Sequence, residues 1–205
     1  MTPLTILRPI PSWTLYASGV LILVATLFDG ALLSKMPVES STQRGDFISL
    51  LRILGYLPTW ILFSLLLVLA APTDQKKRFR EDALRITLTA MISGIVAETL
   101  KPIFRRPDPQ VGNEGSWERA PLNDQWWDGT DFCFPSGHSA VAFGAAVAIS
   151  RRWPKTTPLI GMAAIGCAIT RIYERGHHPS DVIASLLIAL CVSRLMNPNG
   201  RVIPD

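Results

Sequence analysis

Histidine is scarce in this sequence, with three residues in 205, and so is cysteine, with three. Cys167 and Cys191 fall inside apolar runs and Cys133 stands alone in a loop, so the spacing implies no disulfide framework. No basic stripe interleaved with aromatics runs along the chain, which argues against a nucleic-acid partner. The opening stretch MTPLTILRPIPSW lacks the charged start and small-residue cleavage site of a removable leader, so the first apolar run is expected to be retained. Internal repeats and low-complexity tracts are missing as well. These absences leave function to rest on a few polar residues.

Apolar residues, by contrast, are abundant. They make up 48% of the chain, the mean hydropathy is +0.28, and they come in long blocks. Six blocks stand out: Leu15 to Leu33, Leu50 to Ala70, Leu84 to Leu100, the run after His138 as far as Ser150, Leu159 to Tyr173, and Val182 to Leu195. The first two approach the ~20 residues that cross a bilayer as helix. The fourth and sixth are shorter, but each begins directly after a polar motif. A site recessed below the membrane surface would shorten them in that way. The expected architecture is therefore all-α, a single polytopic membrane domain over residues 1–205 with a bundle of six transmembrane helices.

Charge tests that count. DQKKRFRED separates the second and third blocks, RRWPK separates the fourth and fifth, and Arg194 and Arg201 follow the sixth. Six crossings put these cations and both termini on the cytoplasmic side of a cell (inner) membrane. The loops 101–137 and 171–181 then share the opposite, non-cytoplasmic face. The long polar loop from Pro102 to Pro135 carries Trp117, Trp126 and Trp127 with the acids Glu114, Glu118, Asp124, Asp128 and Asp131. Its tryptophans read as an interfacial belt.

Three short motifs on that shared face carry the chemistry: KPIFRRP from Lys101, FPSGHS from Phe134 and TRIYERGHHPSD from Thr170. In the second, Pro135 and Ser136 precede a helical run and Gly137 removes bulk. A helix start of this kind offers unpaired N–H groups and a positive dipole end to an anion, with His138 at the rim. In the third, Ser180 or Asp181 can cap the last helix. Asp181 would then lie close enough to His177 to bond one ring nitrogen and leave the other free as base or nucleophile. His138, His177, His178 and Asp181 are possible zinc ligands. The surrounding Lys101, Arg105, Arg106, Arg171 and Arg175 repel a dication, so no metal is expected. His178 reads as a neighbour that packs or touches substrate. Glu98 is spaced to pair with Lys101, and Asp29 reads as an interfacial residue near the outer end of the first block.

Together these residues resemble the phosphatidic acid phosphatase type 2 superfamily, which also includes bacterial acid phosphatases and vanadium-dependent haloperoxidases. The resemblance covers residues 101–181, in the family's order. The second and third motifs match closely, with Thr170 where serine is usual. The first departs: the spacer between Lys101 and Arg106 is shorter than usual, and Asp108 stands at the customary arginine position. The resemblance implies that His177 attacks phosphorus to form a phosphohistidine, with Asp181 orienting it. His138 would protonate the leaving oxygen and then activate water. Lys101, Arg106, Arg171, Ser136 and Gly137 would hold the phosphate, with Arg106 acting from its shifted register, and no cofactor would be needed.

The expectation is thus a metal-independent phosphatase acting on a lipid phosphate in the bilayer. Phosphatidate, phosphatidylglycerophosphate, a polyprenyl diphosphate and a lipid A phosphate fit equally. The alternatives are a lipid phosphotransferase using the same pocket and a non-catalytic lipid-phosphate binder or transporter. The sequence does not specify the oligomeric state.

Overall fold

The computed structural model describes residues 11–35, 45–109, 115, 117–120 and 132–196. Trp126, Trp127, Glu114, Asp124, Asp128, Asp131 and Arg201 lie outside them. The described residues form seven α-helices: α1 (Ser12–Leu33), α2 (Asp46–Ile53), α3 (Leu57–Leu69), α4 (Lys76–Phe104), α5 (Gly137–Arg152), α6 (Thr157–Tyr173) and α7 (Pro179–Met196). Helix satisfies every backbone group within its own segment, which an apolar surrounding demands. Three helices are long and apolar enough to cross a membrane: α1, α4 with its leading turn from Thr73, and α7. A fourth crossing is added if α2 and α3 count as one broken span. Helices α5 and α6, of 16 and 17 residues, are shorter than these.

Two expected boundaries change. The second apolar block is not one rod, because α2 and α3 meet at 69°. Pro58 lies in the first turn of α3, where its missing N–H leaves no bond unmade, and it would break a helix that ran on unbroken from α2. Gly55 lies so close to His138 that a Cβ there would come within 2.7 Å of that residue's Cβ. Carbonyls freed by the break are capped from α3: Trp60 Nε1 donates to Leu54 O at 2.8 Å and Thr59 Oγ1 to Ile53 O at 2.8 Å. The second change is at DQKKRFRED, expected as loop. From Lys76 onward it forms the first turns of α4, because nothing after Pro72 breaks a helix built from lysine, arginine and glutamate. Asp82 there reaches Arg152 Nε on α5 at 2.5 Å.

Helix α5 runs through the middle, against α4, α6 and α7. Small residues fill much of its buried surface, with Ala140, Ala142, Ala145 and Ala146 buried. Small residues let helix backbones approach closely where lipid offers no hydrophobic drive for association. At Gly144 the approach is tightest, since a Cβ there would stand 2.8 Å from Thr89 O and 2.9 Å from Ala90 Cα. On the outside, Leu27 (81% exposed), Leu23 (70%) and Leu159 (72%) face outward. This apolar exterior suits a lipid surround rather than water.

Gly144 and Gly161 make a matched pair of tests. Alanine at Gly144 must push α4 away and is expected to cost about 1–3 kcal/mol, read as a lower Tm in detergent. Alanine at Gly161, where a Cβ would meet nothing within 4 Å, is expected to leave Tm unchanged or slightly raised. Equal tolerance at both sites would contradict this packing.

Candidate active site

One end of the bundle gathers the end of α1, the α2–α3 elbow, the end of α4, the start of α5, the loop after α6 and the start of α7. Arg105 ends α4 in a left-handed conformation (φ 52°), its N–H bonded to Lys101 O at 2.8 Å. That turn sends Arg106 into the protein. A second left-handed residue, Arg175 (φ 52°), turns the chain after α6 and donates from Nη2 to Leu33 O at 3.0 Å.

Arg106 is not placed as a phosphate ligand. Its side chain is fully buried and paired with two buried carboxylates, Asp29 at 2.8 Å and Asp181 at 2.6 Å. It also donates to Ser180 Oγ at 2.7 Å, and its guanidinium lies over the Trp117 ring at 4.0 Å. Trp117 therefore covers this ion cluster and packs edge-on against Phe134, instead of serving as a simple interfacial residue. Asp29 is likewise not interfacial. It is completely buried and accepts from Ser180 N at 2.9 Å and Ser180 Oγ at 2.5 Å. Sequence reading missed this role. The one available signal was an acid inside an apolar span, which is costly enough to imply a partner.

Asp181 does not orient His177 directly. The separation from His177 Nδ1 is 3.9 Å, whereas Asp181 Oδ2 accepts from the His178 backbone N–H at 2.7 Å and lies 3.2 Å from His178 Nδ1. His177 Nδ1 instead meets the Cys133 carbonyl at 2.7 Å. A carbonyl only accepts, so Nδ1 must carry the proton and Nε2 keeps its lone pair. Burial lowers the His177 pKa to about 3, outweighing the Asp181 charge, so the ring stays neutral at neutral pH.

His138 stands in the first turn of α5, packed edge-on against Tyr56 with ring centroids 4.8 Å apart. Its Nε2 is buried without a hydrogen-bond partner. The charges of Arg171 and Lys101 act on both His138 and His177, and all four residues stand at this end of the bundle. Lys101 Nζ pairs with Glu98 at 2.8 Å, at the spacing read from sequence. Arg171 pairs with Glu174. Ser136, fully buried, caps α5 by accepting from Ser139 N, while Thr170 Oγ1 donates to Cys167 O. The Glu98 carboxylate occupies the space beside Gly137, where a Cβ would meet Oε1 at 2.0 Å and displace it. Beside His138, an apolar cleft of about 590 Å³ opens between the elbow, α4 and α5, with Gly55, Met91, Ile95 and Val141 in its walls.

Asp108 faces the same charges. Burial raises its pKa to about 6, despite Lys101 nearby. Cys133 Sγ, His178 Nδ1 and Asp181 lie near enough together to hold a metal ion. Both Asp181 oxygens are already committed, one to Arg106 and one to the His178 N–H, and a dication there would sit against the guanidinium. The donor set does not favour a metal.

A sequence model described as the PAP2 superfamily matches residues 82–199, more than half of the chain. Over 108 residues the chain is 31% identical to the lipid A 1-phosphatase of Rhizobium johnstonii, covering 52% of this chain and 43% of that protein. Over 122 residues it is 28% identical to the undecaprenyl-diphosphatase of Sulfolobus acidocaldarius, covering 58% and 55%. The chain thus spans about half the length of these curated relatives. Among solved structures it is similar to a transmembrane PAP2-type phosphatidylglycerolphosphate phosphatase from Bacillus subtilis, with a TM-score of 0.59 at 18% identity over 90% of this chain and 94% of that one.

Asp29→Ala leaves Arg106 with one carboxylate fewer and should cost about 3–5 kcal/mol, more than Asp29→Asn, which keeps an acceptor for Ser180. Thermal unfolding in detergent ranks the two, and equal stability of Ala and wild type would refute the buried-pair description. Asp108 gives a pH test. Its folded pKa, about 6, lies above the ordinary 3.8, so the folded state holds the proton more tightly. Its contribution is present below about pH 4 and is lost as pH rises to about 6. Asp108→Asn should flatten that part of the stability–pH curve.

Proposed function

The chain belongs to the PAP2 superfamily, and on that basis we propose that it is a membrane phosphatase that hydrolyses a lipid phosphate through a phosphohistidine, without a metal. The observation that carries this reading is the division of labour between the two histidines. His177 is neutral, with its proton fixed on Nδ1 by the Cys133 carbonyl. His138 walls an apolar cleft. A nucleophile needs the first environment. A proton donor to a leaving group that carries a hydrocarbon tail needs the second.

In this mechanism Nε2 of His177 attacks phosphorus and the bond from phosphorus to the lipid oxygen breaks. His138 gives that oxygen its proton, and the lipid leaves along the cleft. His138 then takes a proton from water, whose oxygen attacks the phosphohistidine and breaks the phosphorus–nitrogen bond. Lys101 and Arg171, with the Gly137 N–H and the Ser136 hydroxyl at the start of α5, stabilise charge on the non-bridging oxygens. Asp181 acts behind them, through His178 and Arg106. It orients the loop that bears His177 without touching that ring.

The site lies at the non-cytoplasmic face of a cell membrane in this proposal, with six crossings and both termini cytoplasmic. Supporting it, Lys76, Lys77, Arg78 and Arg80 at the start of α4, Arg151 and Arg152 at the end of α5, Lys155 beyond it and Arg194 near the end of α7 all occupy the bundle end opposite the histidines. Phosphatidate, phosphatidylglycerophosphate, polyprenyl diphosphate and lipid A phosphate remain the substrate candidates.

Full-length protein in detergent should release phosphate from at least one of these lipids in the presence of EDTA. His177→Ala should lower that release by about a thousandfold or more. Release that survives His177→Ala would reject the phosphohistidine, and transfer to an added acceptor lipid in place of release would make the protein a phosphotransferase. Tight binding without turnover would make it a lipid-phosphate carrier.

A further inference from the structure

We infer that Arg52 forms a second phosphate subsite, which holds the inner phosphate of a lipid diphosphate and makes diphosphates the preferred substrates of this site. The inference rests on the phosphatase reading and sharpens it from a lipid phosphate to one class of lipid phosphate.

The two classes differ in what leaves. When a monophosphate ester is cleaved, the bond from phosphorus to the lipid oxygen breaks and an alcohol departs once His138 has protonated that oxygen. When a lipid diphosphate is cleaved at its outer phosphorus, the bond to the bridging oxygen breaks and a lipid monophosphate departs. His138 supplies the bridging oxygen with its proton in either case. The departing monophosphate still carries negative charge on its other oxygens, beside His138 and away from His177. A site adapted to diphosphates needs a further cation on that side.

Arg52 is that cation. It lies on α2 just before the elbow, and the elbow packs directly on His138 through Gly55 and Tyr56. The guanidinium carbon is 6.0 Å from the centre of the Tyr56 ring, and its charge acts on the His138 ring together with those of Arg171 and Lys101. The elbow also walls the apolar cleft, so a tail lying there brings its inner phosphate toward α2.

Arg52 is also loosely committed. It pairs with Glu174 at 3.4 Å, a carboxylate that Arg171 holds much more closely. Two guanidinium groups thus share one carboxylate. Arg52 Nε and Arg171 Nε are both buried without a hydrogen-bond partner. A planar guanidinium with an open buried donor suits a phosphate oxygen, and gaining that partner removes the penalty of an unmade bond.

The test compares a polyprenyl diphosphate with the polyprenyl monophosphate of the same chain length, using full-length protein in detergent. Initial rates are measured for wild type, Arg52→Gln and Arg52→Lys, each checked for an unchanged Tm. Arg52→Gln should lower kcat/KM for the diphosphate by about tenfold to a hundredfold, as loss of a charged hydrogen bond does. The monophosphate should change by less than about threefold, with Arg52→Lys between. As a second readout, the lipid monophosphate product should inhibit Arg52→Gln more weakly than wild type. Equal losses on both substrates would make Arg52 a support for His138, and no loss on either would remove it from the site. Both outcomes overturn the inference while leaving the phosphatase reading intact. If Arg52→Gln is unstable, Glu174→Gln decides. Freeing Arg52 should raise the ratio of diphosphate to monophosphate kcat/KM, and an unchanged or lower ratio overturns the inference. Wild-type protein that hydrolyses neither lipid would overturn the underlying reading as well.

Discussion

Arg106 carries a charge into a place without water, where an isolated guanidinium would cost several kcal/mol. The charge is sustained because Asp29 and Asp181 approach it from two sides, at 2.8 and 2.6 Å, with Ser180 Oγ between them and Trp117 above. These groups come from distant parts of the sequence. Asp29 belongs to α1, Arg106 follows α4, and Ser180 and Asp181 begin α7. The ion cluster therefore acts as a clasp that fixes the first and last helices to the end of the fourth. Because each member is buried, removing any one strands the others, and the helices cannot shift singly.

The clasp also reaches His177, by a backbone route. Cys133 N donates to Arg106 O at 2.8 Å, and Cys133 Sγ lies 3.0 Å from Pro107 O, next to the isolated bridge between Pro107 and Phe132. The segment that Arg106 anchors thus sets where the Cys133 carbonyl points, and that carbonyl sets the tautomer of His177. On the α7 side, Asp181 holds His178 by its N–H and its ring, fixing the residue next to His177. One ion cluster governs the ring from both directions, although none of its charged groups touches the ring.

This arrangement explains what could be read in the sequence and what could not. The helical class, the grouping of Lys101, His138, Arg171 and His177, and the pairing of Glu98 with Lys101 follow from spacing and apolar runs, which are local properties. Asp29 could not be matched to Arg106 that way, because 77 residues separate them and either acid or cation alone reads as a boundary residue. The further partners of Asp181 and Arg106 are illegible for a related reason. Spacing put Asp181 within reach of His177, but spacing does not show that a guanidinium and a backbone N–H claim its oxygens first. The break at Gly55 was hidden because the apolar run continues through it. What requires glycine there is His138, which approaches from another helix.

The acids around the histidines bear on selectivity. Lys101, Arg171 and Arg52 would repel one another if left bare at one bundle end. Glu98 and Glu174 reduce that repulsion, Glu98 from against Gly137 and Glu174 from between the two arginines. In the proposed enzyme an arriving phosphate does not fill an empty cationic pocket. It must draw Lys101 and Arg171 away from carboxylates that already partner them. A singly charged anion gains little from such an exchange, since it replaces one unit of charge with another. A phosphate group carrying close to two charges and three acceptor oxygens gains more. The internal acids therefore weaken binding of all anions and weaken it least for phosphoryl groups. Asp108 makes the balance pH-dependent, because burial favours its neutral form up to about pH 6 and its charge opposes anions only above that.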